Sequence, residues 1–499
     1  MKKVYLPLFL FALTKACLFS FYGFGLVDEG QSLHNALKIL QGGLPYKSFF
    51  AVFPPLHYYF YALPLWLFGE SIVIPRLFAS LIFAFSPVFL YLTLSRLVIR
   101  IIAIIPAIIL IFLNVNIDRF YFMTLIFAGI YFLTLAFETE HMKYYFVSGI
   151  IFGVSSLFRL DITGVFILAS AITILCANIK KPKIAIIKTL LFSIGTLAAL
   201  GSLVLWLSVN GLMTIYWKNT VIEAIVITKK HNLPFPAISD LIPYPLNLNK
   251  LSEAYAAIYG YSILFSYFIT SILLVTKRIF ASKIVVTFLL SGYLLLPYMF
   301  GRSDMGHLLK AGIPFLFLGA VIFSRVFSNK SKLWKLVTST IVVAIFTGGI
   351  VESIFWIKLN NFQIEIRKQK LHVNAAYVKG TTLLSAQTLQ EASSFLGNTS
   401  EAVAALPYMA GLYYLSGKIS PTRYDNLLNG YLRNSSQEQQ FIEDLEKAGV
   451  KRIVYDPEGG PAMATKSISI YNPQIHDYLI SEYNVVKTTP EGWLFLERK

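Results

Sequence analysis

The chain has 499 residues, of which 56% are hydrophobic, 15% aromatic and only 14% charged, and its mean hydropathy is +0.63. This composition excludes a water-soluble globular protein and predicts a helical protein that crosses a membrane many times. The formal net charge of +17 would suggest nucleic acid in a soluble chain. Here Lys and Arg gather in alternate loops at the ends of apolar runs, as the positive-inside rule requires, so no nucleic-acid partner is expected.

Apolar runs that can serve as membrane spans recur along most of the chain. The first run follows Lys2-Lys3, and no small-residue cleavage pattern precedes Asp28, so a retained span is expected rather than a signal peptide. Cys17 and Cys176 lie in such runs and predict no disulfide framework. About eleven spans are predicted, at residues 5–23, 72–94, 98–113, 120–137, 144–157, 162–177, 184–209, 258–275, 284–300, 308–323 and 333–357. This count places the N-terminus in the cytoplasm and the chain after Lys358 outside.

The first outer loop, residues 24–71, opens with the acidic pair Asp28-Glu29. Four apolar positions then recur at helical spacing: Leu33, Ala36, Leu37 and Leu40. Polar residues cover the other face, which predicts an amphipathic helix lying on the membrane surface. Residues 54–68 are apolar and aromatic but contain Pro64 and are too short for a span, so they predict an interfacial or re-entrant segment.

Two further outer segments are predicted. Residues 211–251 include a run of prolines from Pro234 to Pro245 and predict an extended loop rather than a helix. From Lys358 the composition is that of an ordinary soluble domain with alternating helix and strand patterns. We therefore predict a transmembrane domain at residues 1–357 and a small outer α/β domain at 358–499. Within the latter, a strand is predicted at 452–455 and a closing hairpin at 485–487 and 494–497.

Few charged groups lie near the predicted spans, where a charge costs about 2.5–3.5 kcal/mol at the centre. By the predicted topology all of these groups open on the outer side. They are Asp28, Glu29, Asp118, Arg119, Arg159, Asp161, Arg302, Asp304 and His307. A carboxylate can deprotonate an acceptor hydroxyl, and an arginine can hold a phosphate through charge-assisted hydrogen bonds. This pattern favours a site between a lipid-borne substrate and the aqueous space.

The first outer loop resembles that of the GT-C glycosyltransferases, in particular the bacterial branch related to protein O-mannosyltransferases and aminoarabinose transferases. The resemblance covers about the first hundred residues, and the eleven-span plan with an outer C-terminal domain extends it. Its elements, in order, are Asp28-Glu29, a helix at 36–40, Gly43-Leu44-Pro45-Tyr46, Pro54-Pro55-Leu56, Tyr58-Tyr59, Phe68-Gly69 and Arg76.

The resemblance implies the transfer of a sugar, with inversion, from a polyprenyl-phosphate donor to a hydroxyl of a lipid, glycan or protein. It also implies a bacterial plasma-membrane enzyme that acts at the outer face. Asp28 is then the general base with Glu29 as its neighbour, and Asp118 is the second acidic residue of the family. Arginine or a divalent cation would stabilise the leaving phosphate. The candidate substrate-binding residues are Arg159, Asp161, Arg302, Asp304, His307, His57 and Tyr46.

Several of these residues also have a structural interpretation. Asp28 fits a helix N-cap with Gln31 three residues on, worth about 1 kcal/mol. For Asp28 the loop pattern favours the catalytic role, and the two roles are compatible. Other roles fit the rest: a solvated turn for Asp118-Arg119, an ion pair between Arg159 and Asp161, a ring at headgroup depth for His57, and a capping position for His307.

Two other functions share some of these features. A transporter or flippase for lipid-linked glycans would have the same hydrophobicity, but it predicts functional charges within spans and inverted repeats of broken helices. The acidic groups are instead expected to cluster in outer loops. A receptor or assembly scaffold would leave the elaborate first loop without a purpose.

Overall fold

The computed structural model describes residues 4–113, 120–242, 248–276, 279, 282–327, 332–366, 369–373, 385–458 and 467–499. These residues are mostly helical. Among them, six helices are long and apolar enough to cross a membrane, or up to seven if one bent pair is a single span. Three shorter apolar helices accompany them. A helical membrane protein, as the composition predicts, is thus confirmed.

The chain divides into two compact units, and the first comprises Met1–Ser20, Arg76–Trp206 and Asn232–Phe355. Helices occupy the apolar runs that the sequence predicts as spans. The helices in or entering this unit are Tyr5–Phe19, Val73–Phe83, Phe85–Leu94, Arg100–Phe112, Met123–Thr139, Met142–Ser156, Leu160–Ala177, Pro182–Val209, the short 3-10 turn Ile238–Leu241, Leu248–Val275, Lys283–Gly301, Met305–Ala311, Ile313–Phe327 and Lys332–Leu359.

The predicted span at 308–323 is two helices instead of one. Met305–Ala311 and Ile313–Phe327 meet at 60°. At Gly312, between them, a Cβ atom would lie only 2.4 Å from the Tyr259 hydroxyl oxygen. Pro314 in addition lacks a backbone N–H, which the first turn of a helix tolerates. The prediction of one continuous helix is wrong here. The apolar residues continue on both sides of Gly312, so the pattern does not reveal a break of one residue.

Two ionisable side chains lie within apolar helices of this unit. Lys15 is 8% exposed in the Tyr5–Phe19 helix. Glu352, in the Lys332–Leu359 helix, has a buried Oε2 with no hydrogen-bond partner among the described residues, and its charge interacts with that of Lys15. The attraction offsets part of the cost of placing either charge in an apolar environment. The expectation that acidic groups cluster in outer loops is therefore wrong for Glu352.

The second unit comprises Phe21–Pro75, Leu207–His231 and Trp356–Lys499. Its first segment contains the helix Asp28–Leu40, here called the loop helix, and the helix Pro55–Phe68. The loop helix is buried on both faces, since Leu33 is 1% exposed and His34 and Asn35 are fully buried. The prediction of a surface-lying helix is wrong because its polar face packs against residues 410–425 of the same unit. An interfacial position for Pro55–Phe68, where Trp66 is 70% exposed, stays a prediction.

Residues 213–230 form consecutive helical turns rather than an extended loop. Met213–Trp217 is α-helical, Lys218–Glu223 is π-helical and Ala224–Lys230 is α-helical again. The loop prediction failed here because it weighed prolines that begin only at Pro234. Glu223 is buried and pairs with Arg433, and the His231 Nε2 lies 3.1 Å from the carbonyl oxygen of Asn429.

The C-terminal part of this unit contains two sheets. Strands β1 (Phe362–Ile366) and β2 (Gln369–Val373) form an antiparallel ribbon, and β2 also bonds to the start of the first outer loop through Gly23 N–H and the His372 carbonyl, 2.7 Å apart. A second sheet has four strands: β3 (Val403–Leu406), β4 (Arg452–Tyr455), β5 (Tyr483–Thr488) and β6 (Leu494–Arg498). Their order is β3–β4–β6–β5, with β3 parallel to β4 and the other pairs antiparallel.

Five helices accompany this sheet: Ala386–Gly397, Ala410–Ser416, Ser435–Lys447, Ile468–Tyr471 and Pro473–Glu482. Apolar side chains from both strands and helices, among them Leu406, Leu445, Ile453 and Leu496, are at most 1% exposed and form one core. The strand at 452–455 and the closing hairpin are confirmed. β1 and β2 were not predicted.

Candidate functional site

The acidic pair of the first outer loop lies in the first turn of the loop helix. Asp28 is the first helical residue and is exposed. Glu29 is only 6% exposed, and its Oε2 accepts a hydrogen bond from the Gly25 N–H at 2.9 Å. The N-cap position belongs to Val27, so the alternative of Asp28 as the N-cap is wrong. Of the two carboxylates, Asp28 is therefore the accessible one, while Glu29 binds the backbone N–H of Gly25.

Two other candidates of this loop lie in aromatic surroundings. Tyr46 is fully buried, and its hydroxyl donates a hydrogen bond to the Phe53 carbonyl at 2.6 Å. Its φ of +70° lies in the left-handed region that favours glycine, so the surrounding contacts must hold it there. The ring of His57 packs at 5.0–5.7 Å from those of Phe53, Tyr58 and Tyr61. Both residues thus shape the interior of the loop.

The polar face of the loop helix enters a buried charge cluster that consists of His34, Lys38 and Asp425. The Lys38 Nζ lies 2.5 Å from Asp425 Oδ1 and also donates to the Thr422 carbonyl at 3.2 Å. The His34 Nε2 lies 3.5 Å from the same Oδ1 and accepts a hydrogen bond from the Ser420 N–H at 3.2 Å. Burial alone would raise the pKa of Asp425, but the neighbouring Lys38 charge, followed by the interaction with His34, outweighs burial and lowers that pKa.

His34 makes this cluster sensitive to pH. Burial lowers the pKa of His34, and the nearby Lys38 adds to this effect while Asp425 opposes it. Its ring also stacks on Tyr413. Because the folded pKa lies below the unfolded value of about 6.5, the contribution of the neutral ring to stability is complete above pH 6.5 and is lost as pH falls towards the folded pKa.

We therefore expect the apparent melting temperature of the wild-type protein in detergent to fall between pH 7 and pH 5. This one group lowers the free energy of unfolding by at most about 1.4 kcal/mol per pH unit. His34→Gln cannot be protonated and should flatten that fall. His141, which is exposed, provides the control variant His141→Gln. An equal pH dependence for wild type and His34→Gln would contradict the assignment.

A second group of candidates lies in the first unit and is joined by a tyrosine that the sequence did not indicate. Arg159 binds Asp161 through two hydrogen bonds of 2.9 and 2.7 Å. The same guanidinium donates to the Tyr298 hydroxyl at 3.4 Å, and the Tyr298 ring stacks on His307 at 5.0 Å between centroids. We name this group, together with Arg302 and Asp304, the arginine cluster.

Asp304 organises the other half of the arginine cluster. Its Oδ1 caps the Met305–Ala311 helix by accepting from the His307 N–H at 3.1 Å and lies 2.9 Å from His307 Nδ1. Its Oδ2 accepts from Arg302 Nε at 2.5 Å. Burial alone would raise the pKa of Asp304, but His307 and Arg302 hold it well below its usual range. The predicted capping role at the head of this helix thus belongs to Asp304, not to His307.

Lys310 is a further cation beside this cluster. It is 7% exposed, lies 5.3 Å from the centroid of the Phe120 ring, and acts electrostatically on both Asp161 and His307. Three permanent cations, Arg159, Arg302 and Lys310, therefore face two carboxylates, which leaves one net positive charge before His307 is counted. Such an excess favours a bound anion. A lysine inside a predicted span was the signal that could have identified Lys310.

Asp118 and Arg119 lie outside the described residues. Within the described ranges, no group of three or more His, Cys, Asp or Glu side chains is arranged to hold a metal ion. The structure thus brings Arg159, Asp161, Arg302, Asp304 and His307 together in one unit, and it places Asp28, Glu29, Tyr46 and His57 in the other.

Comparisons with known proteins show what this chain is similar to. A family model described as dolichyl-phosphate-mannose-protein mannosyltransferase matches residues 53–206. No curated protein matches the chain by sequence. The fold is similar to that of ArnT from Cupriavidus metallidurans bound to undecaprenyl phosphate, with a TM-score of 0.56 and 10% identity over 99% of this chain and 98% of that one.

The fold is also similar to that of the Archaeoglobus fulgidus oligosaccharyltransferase tethered to an acceptor peptide, with a TM-score of 0.54 and 11% identity over 100% of this chain and 74% of that one. The same archaeal enzyme, AglB, matches equally well in its complex with an inhibitory peptide and a dolichol-phosphate. The predicted resemblance to the GT-C glycosyltransferases is confirmed, and the chain has their fold. The fold is thus that of membrane glycosyltransferases, and the family model that matches residues 53–206 also describes a glycosyltransferase.

Proposed function

We propose that this protein transfers a sugar from a polyprenyl-phosphate donor to a hydroxyl group at the outer face of the membrane, with inversion at the anomeric carbon. The observation that carries the proposal is the exposed Asp28 carboxylate at the start of a loop helix whose next ten residues are buried, except for the half-buried Gln31. The lipid phosphates in the ArnT and AglB structures support the donor class. The acceptor is a lipid, a glycan or a protein.

The proposed chemistry needs a base at the acceptor. Asp28 takes the proton of the acceptor hydroxyl as its oxygen attacks the anomeric carbon. The positive end of the helix dipole stabilises the ionised carboxylate at this first-turn position. Glu29, already bonded to Gly25, shapes the turn, and Asp118 is proposed as a second acidic group near the reaction.

The bond from the anomeric carbon to the lipid phosphate breaks in the same step, and the phosphate leaves with its negative charge. A leaving group of this kind needs a positive partner more than a proton. The arginine cluster supplies guanidinium groups already oriented by Asp161 and Asp304. We propose that it binds the donor phosphate, with Arg302 as the principal contact because its side chain is 25% exposed whereas that of Arg159 is 10% exposed.

Transfer and transport can be separated in one experiment. Purified protein in liposomes is supplied with radiolabelled polyprenyl-phosphate sugars and a membrane extract as acceptor. We expect a new labelled product with a glycosidic bond. Labelled lipid that changes leaflet without forming such a product would instead identify a flippase, for which the buried Lys15 and Glu352 would then be the first residues to examine.

The anion-binding role of Arg302 predicts a specific kinetic effect. Arg302→Gln should lower kcat/KM for the donor about 10- to 100-fold, because one charge-assisted hydrogen bond contributes about 1.5–3 kcal/mol. Arg302→Lys keeps the charge without the fork and should recover part of the loss. The matched control is Arg96→Gln, which breaks an exposed pair with Glu138. Equal kinetics for Arg302→Gln and Arg96→Gln would refute the assignment.

Placement in the membrane completes the proposal. We propose about eleven crossings in a bacterial plasma membrane, a cytoplasmic N-terminus, and a division into a transmembrane domain at 1–357 and an outer α/β domain at 358–499. The helices at the predicted runs and the sheet of β3 to β6 support this arrangement. A cysteine placed at the exposed Asn434 should react with a membrane-impermeant thiol reagent in intact spheroplasts.

A further inference from the structure

Asn426 makes hydrogen bonds on both sides of Asp28. This side chain is fully buried in the second unit. Its Nδ2 donates to the Val27 carbonyl at 3.1 Å and lies 3.3 Å from Gln31 Oε1, while its Oδ1 accepts from the Ala410 N–H at 3.0 Å. The amide is therefore oriented by its hydrogen bond from Ala410. It binds Val27, directly before Asp28, and Gln31, three positions after it.

Gly411 fixes the same turn from a second direction. Its N–H donates to the Leu26 carbonyl at 2.8 Å. A Cβ on Gly30 would lie 2.3 Å from the Gly411 Cα, so the two backbones touch without side chains between them. Residues on either side of Asp28 are thus held by residues 410–426, which lie almost 400 positions later in the sequence.

The buried charge cluster continues this attachment along the loop helix. Asp425, the neighbour of Asn426, binds Lys38 at the other end of that helix. Both ends of the loop helix are consequently fixed to the same two-residue segment. A general base must be held within a fraction of an ångström of its working position, because small displacements cost a large part of the rate.

We propose that Asn426 is a positioning residue for the Asp28 carboxylate, with Gly411 as the second contact. This inference rests on the function proposed above and deepens it, since it makes residues 410–426 part of the machinery that sets the rate. Asn426 itself has no contact with the reacting atoms in this proposal. It acts through the main chain at Val27.

The experiment measures the turn and the reaction separately. For Asn426→Ala we expect amide hydrogen exchange at Gly25–Gln31 to become about tenfold faster, kcat to fall about tenfold, and the donor KM to stay within twofold of wild type. Asn434→Ala is the control. It likewise removes an asparagine side chain that accepts a backbone hydrogen bond in the same unit, from the Gln437 N–H, but it lies away from this turn in sequence. It should leave exchange at Gly25–Gln31 and kcat unchanged.

A second variant separates a local effect on the turn from a general loss of the fold. Gly411→Ala should press a new methyl group on Phe24 and Leu26, at 2.8–3.0 Å, and produce the same pattern while exchange in β3 and β4 stays at the wild-type level. Unchanged exchange at Gly25–Gln31, or faster exchange with unchanged kcat, in both variants would overturn the proposal. Failure of the proposed function is recognised differently: Asp28→Asn then retains turnover, whatever the exchange data for Asn426→Ala.

Discussion

Asp28→Asn should reduce kcat by about 10²- to 10⁴-fold with little change in the donor KM, because removing a general base raises the barrier without removing a binding group. The substitution keeps the shape of the side chain, and Asp28 is exposed, so the loop helix should fold as in wild type. The measurement is the initial rate of radiolabel transfer from polyprenyl-phosphate sugars at varied donor concentration, with enzyme limiting.

The neighbouring acid provides the contrast. Glu29→Gln keeps an oxygen that can accept from the Gly25 N–H and should lose less than tenfold in kcat, since this residue has no direct part in the proposed proton transfer. Full turnover by Asp28→Asn would remove the proposed base. A loss confined to Glu29→Gln would move the base by one residue.

Breaking the buried charge cluster should have the largest effect on stability. Asp425→Ala leaves the Lys38 ammonium, at 6% exposure, without its carboxylate, and loss of one partner of a buried ion pair typically costs about 3–5 kcal/mol. The measurement is denaturant-induced unfolding in detergent. We expect peptides of the loop helix to lose amide protection first.

Two comparisons make that result specific. The double variant with Lys38→Met and Asp425→Leu removes both charges and should recover much of the loss, because apolar replacement of a buried pair is often neutral. Arg96→Ala breaks a pair whose side chains are 31% and 38% exposed and should cost less than about 1 kcal/mol. If Asp425→Ala costs no more than Arg96→Ala, the cluster does not stabilise the fold.

The sequence predicted what depends on local pattern. Apolar runs predicted the helices, and strand patterns predicted β4 and the β5–β6 hairpin, because these signals lie within short windows of the chain. The order of motifs in the first outer loop indicated the resemblance to glycosyltransferases. The break at Gly312 and the helical turns at 213–230 were missed, since they involve contacts with residues distant in sequence: Tyr259 packs at Gly312, and the buried Glu223 pairs with Arg433.

The candidate site was predicted as residue types rather than as an arrangement. The polar residues His34, Asn35 and Lys38 led to the prediction that one face of the loop helix is exposed. Their partners Ser420, Thr422 and Asp425 are almost 400 residues away in sequence, and no periodicity reports such a pairing. Tyr298, which links Arg159 to His307, carries no charge and follows no motif, so only the packed structure identifies it.

The contact between Lys38 and Asp425 also sets an order of events during synthesis. The loop helix is synthesised before its partner, because Asp425 follows Lys38 by 387 positions. Until then Lys38 lacks its native carboxylate partner, and closing so long a loop is slow. A nascent or truncated chain that ends before residue 425 therefore holds its acidic turn in an unfinished form. We expect such a chain to lack the activity proposed for Asp28.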